Sequence, residues 1–334
     1  METKLNYKRT FLIGLAFLSI CSFWQMYDNI IPLILQNTYH LGETMTGAVM
    51  ALDNVLAIFL LPVCGMLSDK VHTKLGRRMP FIVVGTILAV IFMMMLPMID
   101  NAEKARWATG GSFSNQVFFL GVLFLTLVSM GLYRSPAVAL MPDVTPNHLR
   151  SRANAVINLM GAVGGVYALI MIKVLVGKGE TPDYLPLFSS IAAVMAIAVG
   201  ILVITIRENK LREEVEKAEA ANADTIEEKA MAEGVEAAGE IEAVGDTGEA
   251  KAFEEKQQTA KTESTKDMPK DVKRSMYFML ASIFLWFTAY NAVTTAFSRY
   301  TKVVWKMEGG SFANCLMVAT VAAIFSYIPI GGIS

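Results

Sequence analysis

Charge, cysteine and histidine are all scarce in this chain. Only 18% of its 334 residues are Asp, Glu, Lys or Arg, against about 25% in an average soluble domain. The three cysteines, Cys21, Cys64 and Cys315, are odd in number and lie in apolar runs, which excludes a disulfide scaffold. His40, His72 and His148 are scattered in loops, without the spacing of a zinc site. No glycine-rich loop closes on a phosphate-binding lysine, so nothing points to ATP drive. A formal net charge of −1 gives no support to nucleic-acid binding. No enzyme signature is present, and no metal or cofactor is expected.

Apolar sequence is what the chain has in excess. Hydrophobic residues make up 54%, and the mean hydropathy is +0.46. The charge is also uneven. Residues 207–274 hold 19 of the 30 acids and 12 of the 29 bases, a net of −7, which leaves +6 on the rest. One dense charged block in an otherwise apolar chain excludes an ordinary soluble enzyme.

A hydrocarbon core about 30 Å thick needs about 20 apolar residues of helix. Eight runs qualify: Phe11–Leu35, Met45–Leu67, Pro80–Ile99, Gln116–Met141, Ala153–Val176, Leu185–Ile206, Ser275–Ser298 and Ser311–Ile333. A single run could be a buried core helix, but eight of spanning length predict an all-α integral membrane protein. The first run starts basic yet continues through Pro32 without a small-residue cleavage pattern, so it reads as a retained span.

Orientation follows the distribution of Lys and Arg. With the N-terminus in the cytoplasm, the inner side holds Lys4, Lys8, Arg9, Lys70, Lys74, Arg77, Arg78, Arg150 and Arg152. The outer loops of the first six spans hold Lys104, Arg106 and Lys178. Arg299, Lys302 and Lys306, after the seventh span, argue the other way. The larger bias predicts N-terminus inside, and residues 207–274 then form a cytoplasmic tether. That stretch is rich in Ala, Glu and Lys with Phe253 its only aromatic, so it is expected to be largely disordered. Its start, RENKLREEVEKAEA, carries opposite charges at i,i+4 and could extend the sixth helix. The alternative to a plain tether is a partner-docking or regulatory segment.

Part of the sequence repeats. W-Q-M-Y-D-N at Trp24–Asn29 is matched by W-F-T-A-Y-N at Trp286–Asn291, and AIFLLPVCGMLS at Ala57–Ser68 by AIFSYIPIGGIS at Ala323–Ser334. The expected organisation is a six-span bundle over residues 1–206, the linker 207–274, and the first two spans of a second bundle over 275–334. A parallel six-plus-six repeat needs four more spans. The polypeptide therefore reads as truncated, about two-thirds of a twelve-span protein, and is not expected to transport alone.

GMLSDKVHTKLGRR, Gly65–Arg78, with its continuation GRRMPFI, resembles the loop after the second span of the major facilitator superfamily. The lengthened form is that of the sucrose transporters and the related glycoside–pentoside–hexuronide:cation symporters. YRSPAVALMPDVTPNHLRSRANAVINLMGAVGG, Tyr133–Gly165, is similar to the same subgroup. The resemblance implies a solute carrier in a plasma membrane, expected to be a monomer, working by alternating access on a sugar or glycoside near the membrane midplane. It also implies that Asp69, Arg77, Arg78 and Asp143 form a gating charge cluster. The melibiose-permease branch carries paired aspartates with an Asp-Pro step in its second span; here Asp53 stands alone before Asn54. That departure favours H⁺ over Na⁺ as coupling cation. Rival readings are a drug or metabolite carrier on the same scaffold, and a non-transporting sensor or scaffold acting through the central loop.

Ionisable groups inside spans are expensive and are functional candidates. They are Asp28, Asp53 and Arg134. Asp28 and Asp53 fall roughly 25 and 22 Å from the inner ends of their spans, and Arg134 roughly 10 Å, nearly level with Asn158. Asp28 or Asp53 is the expected proton-coupling carboxylate, and Arg134 the group that binds sugar hydroxyls or pairs with a carboxylate. A pyranose offers an apolar C–H face and hydroxyl edges, which suits aromatic rings with a polar handle. Trp24, Tyr27, Tyr133 and Trp286 are therefore candidates, with an interfacial aromatic belt as the alternative. Asn29 and Asn291 either bind sugar or tie helices together, and Asn158, nearly level with Arg134, is a further candidate for binding sugar. Asn154, Asn158, Gly161 and Gly165 share a face of the fifth span, where the two glycines predict close helix packing.

Overall fold

A computed structural model describes residues 5–71, 73–109, 115–179, 181–217 and 270–333. The described residues form α1 (Tyr7–Asn37), α2 (Glu43–Lys70), α3 (Met79–Ala108), α4 (Gln116–Asp143), α5 (Arg150–Leu175), α6 (Leu185–Thr205), α7 (Lys270–Val303) and α8 (Ala313–Ile333). Each contains one of the eight apolar runs or nearly all of it. Seven are long and apolar enough to cross a membrane, and α8 adds 21 residues. His72 lies outside the described residues, as do residues 218–269, on which most of the expected disordered tether falls.

The chain divides into two compact units, residues 1–216 with 294–334, and residues 217–293. In the first, local chemistry sets the helix ends. Asn6 caps α1 by accepting the Arg9 N–H at 3.2 Å, and prolines sit in the first turns of α3 and α6, where a missing N–H costs nothing. Prolines also lie inside α1, α2, α3 and α4. Neighbouring helices in a membrane bundle tolerate them by satisfying the freed backbone groups.

The core of this unit runs along α1. Phe23, Tyr27 and Ile30 of α1 are buried with Met93 and Leu96 of α3, Tyr133 of α4, Ile157 of α5 and Phe188 of α6. On the outside, Ile58, Phe59, Val84, Ile91, Val174 and Ile204 are exposed, the surface of a bundle whose solvent is lipid.

Close packing depends on missing side chains. A Cβ at Gly164 of α5 would collide with the Leu18 carbonyl of α1, and one at Gly161 would stand 2.9 Å from Cys21 Sγ. Ser22 seals this crossing by donating to the Gly164 carbonyl at 2.9 Å. The expected glycine contact is present, with Gly164 rather than Gly165 at its tightest point. Across the bundle, a Cβ at Gly85 of α3 would stand 2.7 Å from the Tyr133 backbone nitrogen of α4.

The expected boundary at residue 206 shifts. After a break at Ile206 and Arg207, residues 208–217 are helical, Glu208 is fully buried, and Leu211 and Val215 are buried too. This stretch continues the first unit instead of opening a solvated tether. The i,i+4 charge pattern is realised between Arg212 and Glu216 at 3.1 Å.

Replacing Gly164 with leucine should destabilise the protein by about 1–3 kcal/mol through overpacking. Gly165→Ala, whose Cβ would meet only Gln25 Oε1 at 3.8 Å, should be nearly neutral. Thermal unfolding of the two variants in detergent checks the difference.

Candidate functional site

The first unit has two ends with distinct chemistry. One end gathers the start of α1, the end of α2, the start of α3 and the end of α4. Arg78 Nη2 meets Asp69 Oδ1 at 2.6 Å and Arg78 Nε meets Asp143 Oδ2 at 2.9 Å. Arg77 Nη2 joins the same Asp143 oxygen at 3.0 Å and lies 3.7 Å from Asp69. Arg78 Nη1 also donates to Ser68 Oγ at 2.5 Å. All four expected cluster residues are thus in one network that links α2, α3 and α4.

A fifth residue holds the network in place, and sequence reasoning missed it. The Glu208 carboxylate accepts the backbone N–H of Arg77 at 2.9 Å, of Arg78 at 2.9 Å and of Met79 at 3.0 Å. These are donors that the start of α3 would otherwise leave unpaired, and the helix dipole favours a carboxylate there. Gly76 makes room, with φ of +128° and no Cβ to strike Glu208. Arg9 of α1 reaches Glu214 at 2.8 Å, so both ends of the 208–217 helix dock on the bundle.

The interior site lies between α1, α2 and α4. Arg134 places its guanidinium 5.5 Å from the Trp24 ring centroid, a cation–π arrangement. Trp24, Asp53 and Arg134 line a cleft with Leu56, Leu60 and Leu127, and its volume of about 20 Å³ has room for one water molecule. Trp24 stacks edge-on against Phe23 and Tyr27 at 5.3 and 5.4 Å. Among the described residues no carboxylate lies within ion-pairing distance of Arg134. Asp53 and Arg134 nevertheless line the same cleft, and Asp28 lies one turn along α1 from Trp24. Asn54 Nδ2 donates to Asp53 Oδ1 at 2.9 Å.

Several polar atoms of α1 are buried without a hydrogen-bond partner among the described residues: Trp24 Nε1 in the cleft, and Tyr27 Oη and Asn29 Oδ1 outside its lining. Asn29 uses its amide N–H₂ on the Gln25 carbonyl at 2.8 Å. Such orphaned groups call for a water or a polar ligand.

Other expected residues are placed differently. Tyr133 is fully buried; its hydroxyl donates to the Ala16 carbonyl at 3.0 Å and pairs with Ser19 Oγ at 2.5 Å. It ties α4 to α1 rather than opening into the cleft. Asn158 is exposed on α5. Trp286 and Asn291 lie on α7 in the second unit, where Trp286 stacks on Tyr290 at 5.7 Å.

At the opposite end, α3 runs past Ile99 to Ala108 and carries two buried acids, Asp100 and Glu103, that the expected span left out. Lys104 meets Asp100 Oδ2 at 2.5 Å and donates to the Pro182 carbonyl at 2.6 Å. Glu103 accepts the Asn115 N–H at 2.9 Å. The i,i+4 spacing of Asp100 and Lys104 was the available signal. These bonds close the ends of α3, α4 and α6.

Comparison with known proteins agrees with this architecture. Sucrose transport protein SUT3 of Oryza sativa subsp. japonica is 26% identical over 137 residues, 39% of this chain and 27% of that protein. Sucrose transport protein SUC4 of Arabidopsis thaliana is 36% identical over 117 residues, 33% of this chain and 22% of its own length. The matches thus span about a quarter of the length of these relatives. The family model of the Major Facilitator Superfamily matches residues 7–334. Its apolar helices and that match together establish that the chain is an integral, multi-pass membrane protein and belongs to the Major Facilitator Superfamily, a family of transporters rather than enzymes.

Proposed function

We propose that this protein contributes to proton-coupled symport of a sugar or glycoside by alternating access, in a plasma membrane with the N-terminus in the cytoplasm. The observation that carries the reading is the cleft where Arg134 lies over Trp24 beside Asp53, with Asp28 one turn along α1 from Trp24. An indole face suits a pyranose C–H face, and the guanidinium offers fixed donors to ring hydroxyls. The orphaned Trp24 Nε1, Tyr27 Oη and Asn29 Oδ1 add further polar partners. The similarity to sucrose transport proteins supports the substrate class.

Asp28 and Asp53 take the coupling role in this proposal. Two carboxylates in the interior of one bundle interact electrostatically, so proton binding at one is coupled to the charge on the other. The cation beside Asp53 gives the pair unequal environments. Substrate that displaces the Arg134 side chain would alter that balance and pass the effect to the proton.

The Asp69–Arg77–Arg78–Asp143 cluster serves as the inner gate in the same reading. It holds α2, α3 and α4 together in one state and is released in the other. Glu208 keeps the start of α3 in register for those contacts.

Uptake into proteoliposomes by the full-length protein, across a sugar panel, with and without a pH gradient, tests the function. Gradient-dependent accumulation of at least one glycoside is expected. Its absence for every sugar, or uptake confined to apolar drugs, would sink the sugar reading. Asp28→Asn or Asp53→Asn should remove proton-driven accumulation while sparing exchange. Retention of full accumulation by both variants would exclude the coupling role. Arg134→Gln should weaken sugar binding, read as loss of sugar-dependent quenching of Trp fluorescence.

The gate has its own test. Asp143→Asn and Glu208→Gln should each shift the protein toward the inward-open state. Labelling of the native Cys64, buried on α2, with Cys21 and Cys315 replaced by serine, should rise about tenfold, the effect of roughly 1.4 kcal/mol on the equilibrium. Unchanged labelling in both would assign the cluster to anchoring alone.

A further inference from the structure

Arg299, Lys302 and Lys306 stand out because they fall at the end of the bundle opposite the arginine cluster, the side with few other bases. They are gathered rather than scattered. With Lys178 from the turn after α5 they line one cavity of about 860 Å³ at the end of α1. Four cationic side chains thus face Glu308 as the cavity's only lining carboxylate among the described residues. Glu43 approaches from outside the lining and meets Arg299 Nε at 3.4 Å, which still leaves positive charge in excess. Converging like charges repel unless an anion joins them.

The loop that bears Lys306 is held tightly. A Cβ at Gly310 would strike the Ile172 carbonyl, and one at Gly309 would stand 3.1 Å from the Gly177 carbonyl. The glycines therefore seat the loop on the end of α5, which brings Lys306 toward Lys178. Lys306 itself has φ of +54°, a conformation uncommon for a long side chain. Such backbone strain clusters where a residue must point in a set direction. The Lys302 ammonium nitrogen is buried, and in the same wall the Gln36 amide oxygen is buried without a partner. The cavity has the size of a small-ligand site, too large for a lone halide.

We propose that this cavity binds a phosphate-type anion, supplied either by a free phosphorylated solute or by the headgroup of an anionic phospholipid. Several cations on separate elements suit a group with multiple acceptor oxygens. The site lies apart from the Arg134 cleft, and the proposal holds whether or not the transported solute is a sugar.

Thermal unfolding of the purified protein in nanodiscs tests it, since a ligand that binds the folded state raises its stability. One series uses phosphatidylcholine discs with inorganic phosphate against chloride at matched ionic strength. A second adds phosphatidylglycerol to the discs. Stabilisation by phosphate identifies a solute site, and stabilisation by phosphatidylglycerol alone identifies a lipid site. Lys302→Gln combined with Lys306→Asn should lower the affinity about tenfold, while Lys173→Gln, on α5 outside the lining, should not change it. Lys306→Asn alone, with a residue suited to positive φ, provides the test if the double variant does not fold, and should lower the affinity several-fold. No stabilisation in either series, or stabilisation that survives these substitutions, would overturn the proposal.

Discussion

The crossing of α1 on α5 is the contact on which the interior depends. In a bilayer, apolar side chains gain little by leaving lipid for protein, so helices associate through close packing and hydrogen bonds. At this crossing Gly164 lets backbone approach backbone, and Ser22 bonds to the Gly164 carbonyl. Tyr133 then fastens the other side of α1 to α4 through Ala16 and Ser19. With both sides held, α1 has little freedom to rotate. Trp24 and Asp28, two and six residues beyond Ser22, inherit their positions from that constraint. The same Tyr133 precedes Arg134, so the contact that fixes α1 also sets the guanidinium above the indole.

Electrostatics organises the two ends in opposite ways. At the arginine end, each guanidinium meets carboxylates, and the helix donors of α3 meet Glu208. The arrangement is compensated, and it spans elements that are far apart in sequence. Glu208 follows α6 yet caps α3, so these two helices share an end. At the opposite end, Asp100 and Glu103 are also compensated, but the cavity beside them keeps an excess of cations. Compensation holds helices together, while several cations lining one cavity suit the anion proposed for it.

Helix number and position were legible because each span is a long apolar run, and lipid imposes that length on every helix alike. The arginine cluster was legible for a related reason. Asp69, Arg77, Arg78 and Asp143 sit at the ends of such runs, where a charge stands out. Glu208 was hidden because it lies in a charged block whose composition is that of a tether, and its meaning comes from a backbone 130 residues away in the chain. Asp100 was hidden because α3 continues beyond its apolar stretch. Tyr133 could be placed on α4 but not turned. Its neighbour Arg134 and the Ser19 that receives its hydroxyl lie on facing helices, and helix rotation depends on packing that periodicity does not encode. In a helix apolar on nearly every side, there is little moment to say which face turns inward.

The interior pair gains its consequence from the same packing. Asp53 is on α2, whose buried residues are only Thr46, Met50, Cys64 and Ser68, while Asp28 is on the tightly held α1. Repulsion between the two is therefore felt across one firm helix and one lightly packed helix. The arginine end grips α2 through Asp69 and through the Ser68 hydroxyl. A change of charge at Asp53 and a change of contact at Asp69 act on opposite parts of one helix. In the proposed cycle, protonation in the interior and opening at the arginine end are thus linked mechanically through α2, a helix that buries few of its residues and so resists the movement little.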